Sequence, residues 1–224
     1  MGKATANKQL KFTSLLEAAF ELFSEKGVGD TSISDITSRS GVAKGTFYLY
    51  FKDKFDIRNK LIMYESGKIF KIAYERMQEE DIPDLSDKLI FFIDKILDQL
   101  SENPKLVSLI SKNLSWAILK KEIERPVYTD VFDISGAFKN LTNECGISEH
   151  DSEIMLYLIL EFVGSTCYSS ILNSDPCPID ELKPYIYRTI RGIITDTINS
   201  SKEAVTIGET AEANLQETNE ASAE

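Results

Sequence analysis

Apolar residues recur every three or four positions along almost all of this 224-residue chain, and that period constrains it to helices. The cleanest case is Leu85, Leu89, Phe92, Ile93, Ile96, Leu97 and Leu100, which fall on one face of a helix. No run alternates at the period of two that a half-buried strand needs. The pattern predicts an all-α fold with about nine helices. With 42% hydrophobic residues the chain is able to bury a real core.

Punctuation residues divide the pattern. The first stripe, Phe12, Leu15, Leu16, Ala19, Leu22 and Phe23, stops at Lys26-Gly27, a basic last turn followed by a glycine. Residues 1–9 ahead of it read as a flexible arm. Ser32 is placed to cap a second helix, with Asp35 in its first turn, ending near Ser40-Gly41. A third, short helix covers Lys44 to Phe51, and a fourth runs from Lys54 to before Pro83. Asn103-Pro104 ends the Leu85 helix and starts the next, to about Glu122. Pro126 starts another, with Phe132, Phe138 and Leu141, closed by Gly146. Ser148 caps a long helix to about Asn173, and the last helix spans 179–200. Residues 201–224 hold six Glu, one Lys and no aromatic residue, too little apolar surface to offset chain entropy, so the sequence predicts a disordered acidic tail.

Within 154–172 apolar residues lie around most of the helix circumference, which predicts burial from several sides, one of them a partner subunit. No 18-residue apolar run and no secretory apolar region is apparent, so the chain reads as cytoplasmic with no membrane contact. Three widely spaced cysteines fit a reducing compartment.

The net charge of −11 argues against a general polyanion-coating protein. The charge is uneven, however. Residues 1–60 carry ten Lys+Arg against seven acids, a net of +3, which leaves −14 for the rest. The basic segment contains two short helices joined by Ser40-Gly41-Val42-Ala43, the dimensions of a helix-turn-helix. Gly41 suits a left-handed turn position, while Ile33, Ile36 and Val42 suit the small core between the helices. Phe47 and Phe51, four apart, anchor the second helix inward. That leaves Lys44, Thr46, Tyr48, Leu49 and Tyr50 on the other faces, and Lys, Thr and Tyr hydrogen-bond phosphates and base edges.

Residues 32–51, SISDITSRSGVAKGTFYLYF, followed by KDKFDI, resemble the helix-turn-helix of TetR-family transcriptional regulators. Ser32, Ile33, Ile36, Gly41, Val42, Lys44, Gly45, Thr46, Phe47, Tyr48, Phe51 and Lys54 match the family pattern, and residues 18–27 are similar to its first helix. Two positions depart: Thr37 stands where Ala is usual, and Ala43 replaces the frequent Ser that caps the recognition helix. The resemblance implies a helix-turn-helix DNA-binding domain over 10–56 and an effector-binding and dimerisation domain over 57–200. It implies that Ser32 touches a phosphate and Lys44 lies over the DNA backbone. Thr46 and Tyr50 then approach base edges, Tyr48 donates its hydroxyl to a phosphate, and Lys52 and Lys54 flank the site. Lys3, Lys8 and Lys11 form either a basic arm or a solvated tail.

The same resemblance implies a homodimer on a near-palindromic operator. Its interface would come from the last two helices, through Ile154, Leu158, Glu161, Ser165, Ile186, Ile190 and Ile193. A small-molecule effector, neutral and apolar or cationic rather than anionic, would meet Tyr64, Phe92, Trp116, Tyr128, Phe132 and Tyr168. Repression is the usual mode in the family. A protein partner in place of the small effector is the alternative. A helical enzyme is a further one, but His150 stands alone, Cys145, Cys167 and Cys177 lack metal-ligand spacing, and no catalytic or phosphate-loop motif occurs. No catalytic residue, metal or cofactor is expected.

Overall fold

The computed structural model describes residues 3–110 and 132–221. Nine helices and no strand occur among the described residues. They are α1 (Lys3–Lys26), α2 (Ile33–Ser40), α3 (Lys44–Phe47), α4 (Lys54–Gln78) and α5 (Leu85–Ser101). Then follow α6 (Pro104–Ile110), α7 (Ile134–Asn143), α8 (Glu149–Asn173) and α9 (Ile179–Ala221).

Helix starts are fixed by short polar side chains that take up free backbone N–H groups. Asp53 accepts from the N–H groups of Phe55 and Asp56 to start α4. Asp84, Asp133 and Ser148 do the same for α5, α7 and α8. The N-terminal unit packs α1, α2 and α3 around Phe12, Leu15, Leu16, Ile36, Phe47 and Phe51, all at most 2% exposed. The first turns of α4 close it with Ile57 and Leu61. The same helix then continues into the second unit, where it packs on α5. There Leu89, Leu97, Met155 and Ile190 lie at the centre of the core. One unbroken helix thus belongs to both units.

Three sequence expectations are corrected. Residues 3–9 are not a loose arm but the first turns of α1. The last helix does not stop at Ser200: α9 continues to Ala221. Beyond Ser200 its sequence has no proline and is rich in Ala and Glu, so helix propensity persists although the apolar stripe does not. Phe132 precedes α7 instead of lying within it, because Asp133 provides the cap one residue later. The start expected at Pro126 lies outside the described residues, as do the last turns before Glu122.

Helix α8 is long and apolar enough to cross a membrane by length and composition, with mean hydropathy 1.5 over 18 residues. Here it is instead the helix on which α6, α7 and α9 pack.

Candidate nucleic-acid interface and effector cavity

The helix-turn-helix is built by local hydrogen bonds that its sequence specifies. The Asp35 N–H donates to Ser32 Oγ at 3.1 Å, and the Ser32 N–H donates to Asp35 Oδ2 at 2.9 Å, a complete capping box. Lys26 adds an ion pair to the same carboxylate at 2.9 Å. Together these hold the Asp35 pKa down to about 2. Gly41 ends α2 at φ 67°, ψ 17°, a left-handed conformation that costs a side-chain-bearing residue energy. Helix α3 then begins at Ala43 without a side-chain cap and is only one turn long. It continues as turns, in which Leu49 and Tyr50 donate to the carbonyls of Thr46 and Phe47. Its inner side is held by aromatic packing: Phe47 lies 5.3 Å from Phe51, and Phe51 stacks on Phe12 at 5.4 Å. The outer side is open, with Leu49 79% and Tyr48 53% exposed.

The cations of this unit divide into two sets. One set holds the unit together. Arg39 bonds Glu21 at 2.8 Å and Glu25 at 3.3 Å, and Lys60 bonds Asp56 at 3.0 Å. Lys54 donates to the carbonyls of Gly29 at 2.7 Å and Thr31 at 3.4 Å. The hydrogen bond from Arg39 and its charge lower the Glu25 pKa. The other set has no carboxylate partner among the described residues. Lys8, Lys11 and Lys52 are exposed, and Lys44 reaches only the hydroxyl of Ser34 at 3.3 Å. Arg58 lies over the exposed Phe55 ring at 5.5 Å. Carboxylates compensate Lys26, Arg39 and Lys60, while Lys44 and Lys52 around α3 have no carboxylate partner among the described residues.

The expected contact residues therefore separate. Lys44, Tyr48 and Lys52 stand on the open side, and Thr46 is half-buried on α3. Tyr48 packs edge-on to Phe47 at 5.4 Å and leaves its hydroxyl outward. The Ser32 hydroxyl is occupied as a cap. Tyr50 and Lys54 are corrected: the Tyr50 hydroxyl donates to the Lys8 carbonyl at 3.1 Å, and the Lys54 ammonium is spent on the loop before α2. Neither geometry is visible from helical spacing, because both partners are distant in sequence. Leu49 was not among the expected contacts, yet it is the most exposed large apolar side chain of the reading segment.

In the second unit a cavity of about 100 Å³ lies among α4, α5, α6, α7 and α8. Its wall is almost wholly apolar, with Ile93, Ile96, Leu156, Ile159 and Val163. Phe92 and Tyr168 line it as expected. Phe132 does not; it packs on Tyr74 at 5.2 Å. Tyr64 is also off the wall, under the Lys68 ammonium at 4.2 Å. Trp116 and Tyr128 lie outside the described residues. Cys167 faces the cavity, and burial pushes its thiol up to about 12, which leaves it protonated and inert.

On the outer side of α8, Ile154 and Leu158 are 44% and 43% exposed, and Tyr157 and Ser165 are exposed beside them. Glu161 is half-buried on the same helix. The expected partners on α9 are corrected. Ile186 and Ile190 are at most 1% exposed and point into the chain's own core, with Ile193 half-buried against it. The outward residues of α9 include Tyr185, Thr189 and Gly192.

A capped helix, a left-handed glycine turn and a short second helix with an uncompensated basic rim define a helix-turn-helix DNA-binding protein, here joined to a helical unit with an apolar cavity. Residues 15–61 match the sequence model of the bacterial regulatory proteins of the tetR family. Over that segment the chain is similar to the DNA-binding domain of the tetR-family regulators.

Among curated relatives it is 36% identical over 102 residues to the fatty acid metabolism regulator protein of Bacillus subtilis, covering 44% of this chain and 50% of that one. The chain thus spans about half the length of that relative. Among solved structures it is similar to the fatty acid degradation regulator FadR from Bacillus halodurans, with 18% identity and a TM-score of 0.56, covering 80% and 97% of the two chains. It is also similar to FadR from Bacillus subtilis in complex with stearoyl-CoA, with 20% identity and a TM-score of 0.54, again over 80% and 97%. At these identities the structural likeness shows the shared fold.

Proposed function

We propose that the protein is a sequence-specific DNA-binding repressor that a small apolar effector releases from its operator. The observation that carries this reading is the helix-turn-helix in which Lys26, Arg39 and Lys60 are paired with carboxylates while Lys44, Lys52 and Tyr48 are exposed around α3. Phosphate contacts from these groups fix register on the duplex, and Thr46 and Leu49 are the side chains left to meet base edges. An exposed leucine suits the methyl group of a thymine.

The apolar cavity favours an uncharged hydrocarbon part of the effector. The B. subtilis FadR structure holds stearoyl-CoA, which makes a long-chain acyl thioester the first effector class to try. Helix α4 contributes Ile69 and Phe70 to the cavity and Ile57 and Leu61 to the DNA-binding core, so occupancy of one is coupled to the pose of the other. The exposed apolar side of α8 supports a homodimer, whose two reading heads meet successive half-sites about one DNA turn, ~34–36 Å, apart. A regulator of this kind works on the chromosome, in the cytoplasm, without membrane contact, metal or catalysis.

Binding to the DNA upstream of its own gene tests the reading. Wild type should bind far more tightly than to unrelated duplex, Lys44→Ala and Tyr48→Phe should weaken it, and an acyl thioester should release it. Equal affinity for both duplexes across salt concentrations overturns it.

A further inference from the structure

We propose that the first turns of α1 are a second phosphate clamp, with Lys8 and Lys11 as its donors and Tyr50 as its positioning residue. The inference rests on the DNA-binding reading above and extends the contact surface beyond residues 15–61, where the family match lies.

Four observations meet at this place. The first sixteen residues hold Lys3, Lys8 and Lys11 and no acid, so no carboxylate of this segment screens them. Residues 3–26 form one helix, so Lys8 and Lys11, three apart, share a side. Both are exposed, and neither ammonium group has a hydrogen-bond or ion-pair partner among the described residues. Leu10 between them is 67% exposed, so this segment is not covered by the rest of the chain.

The fourth observation places the start of α1 next to the reading segment. Tyr50 ends the reading segment, yet its hydroxyl donates to the Lys8 carbonyl at 3.1 Å. Phe12 packs on both Tyr50, at 6.0 Å, and Phe51, at 5.4 Å. Lys60 holds the Tyr50 carbonyl from the other side at 3.1 Å. A helical carbonyl has a second lone pair for such a donor without giving up its ladder bond. The start of α1 is thereby tied to Tyr50, in the segment that carries the exposed Lys44 and Lys52. The occupant that fits a row of unpaired ammonium groups continuous with a DNA-reading edge is the sugar-phosphate backbone of the same duplex. The clamp reads no base: it adds affinity and salt dependence without changing sequence preference.

The test measures binding of the full chain to operator and to unrelated duplex across a salt series. Lys8→Ala/Lys11→Ala should flatten the slope of log affinity against log salt by about 1.8, at ~0.9 per phosphate, and lower affinity for both duplexes by roughly 10- to 30-fold. Lys8→Arg/Lys11→Arg should restore the slope. Tyr50→Phe keeps the ring packing and removes the latch, so it should flatten the slope part of the way. Added to the double alanine variant it should cause little further loss, because it acts through the same lysines. An unchanged slope in the double variant, or a Tyr50→Phe loss that adds fully to it, overturns the clamp. If wild type shows no preference for the operator, the regulator reading fails, while the slope on unrelated duplex still decides whether Lys8 and Lys11 meet phosphates.

Discussion

Lys183 of α9 sits between two carboxylates of α5, its ammonium 2.9 Å from Asp94 Oδ1 and 2.6 Å from Asp98 Oδ1. Its side chain is only 15% exposed. One turn on, the Tyr187 hydroxyl donates to Asp94 at 2.5 Å, and one turn further Arg191 bonds Asp87 at 2.6 Å. Residues four apart on α9 thus bind it along α5.

Asp94 gives this seam an acid limb. Burial pushes its carboxyl up, but hydrogen bonds from Tyr187, Lys183 and Lys95 outweigh that and hold it at about 2, below the ordinary 3.8. A pKa lowered by folding contributes stability above the unfolded value, and that stability is lost as pH falls toward the folded one. Urea unfolding should therefore show stability dropping between about pH 4 and pH 2, by about 2 kcal/mol from this group. Asp94→Asn should flatten that limb and lower stability at neutral pH.

The uncapped start of α3 is a place to gain stability. Ala43→Ser supplies a side-chain oxygen for the first-turn N–H groups of α3, which have no side-chain cap, and should stabilise the domain by ~0.5–1 kcal/mol. Ser32→Ala dismantles the capping box and should cost ~1 kcal/mol or more. Chemical denaturation of both variants checks the opposite signs.

Filling the cavity should separate effector response from DNA binding. Gly164 lies on the cavity wall, and a Cβ there meets no atom within 4 Å. Gly164→Leu also favours helix by up to ~1 kcal/mol. Operator affinity should persist while release by an acyl thioester is lost, read by a DNA-binding titration with and without the thioester.

The two sides of the terminal helices should respond differently to charge. Leu158→Arg, at a site 43% exposed, should leave the fold intact and halve the mass seen in sedimentation. Ile190→Arg, at a site with no exposure, should unfold the second unit. An unchanged dimer in Leu158→Arg would exclude the outer side of α8 as the interface.

Much of this was legible in the sequence because it was local. The capping box needs only Ser32 and Asp35, three residues apart, and the turn needs only Gly41 before Val42. The apolar stripe of α5 is periodic enough to mark Leu89, Phe92 and Leu97 as core. What escaped was contact between residues far apart in the chain. Tyr50 and Lys8 are 42 positions apart, and Lys54 and Gly29 are 25, so a tyrosine and a lysine with DNA-contacting chemistry were read as outward. Ile186 and Ile190 were misplaced for another reason. A helix that is apolar on one side declares that the side is covered, but not whether its own chain or a second one covers it.

The anchoring of Lys54 has a mechanical consequence. Its ammonium grips the carbonyls that precede α2, while its backbone opens α4. Any rotation of α4 about its middle is delivered to the reading head at a point ahead of α2, with the capping box and glycine turn downstream of it. The head then swings as one stiff lever and keeps its internal shape. On the proposed dimer, operator affinity would then fall through misaligned half-sites while each helix-turn-helix stays folded.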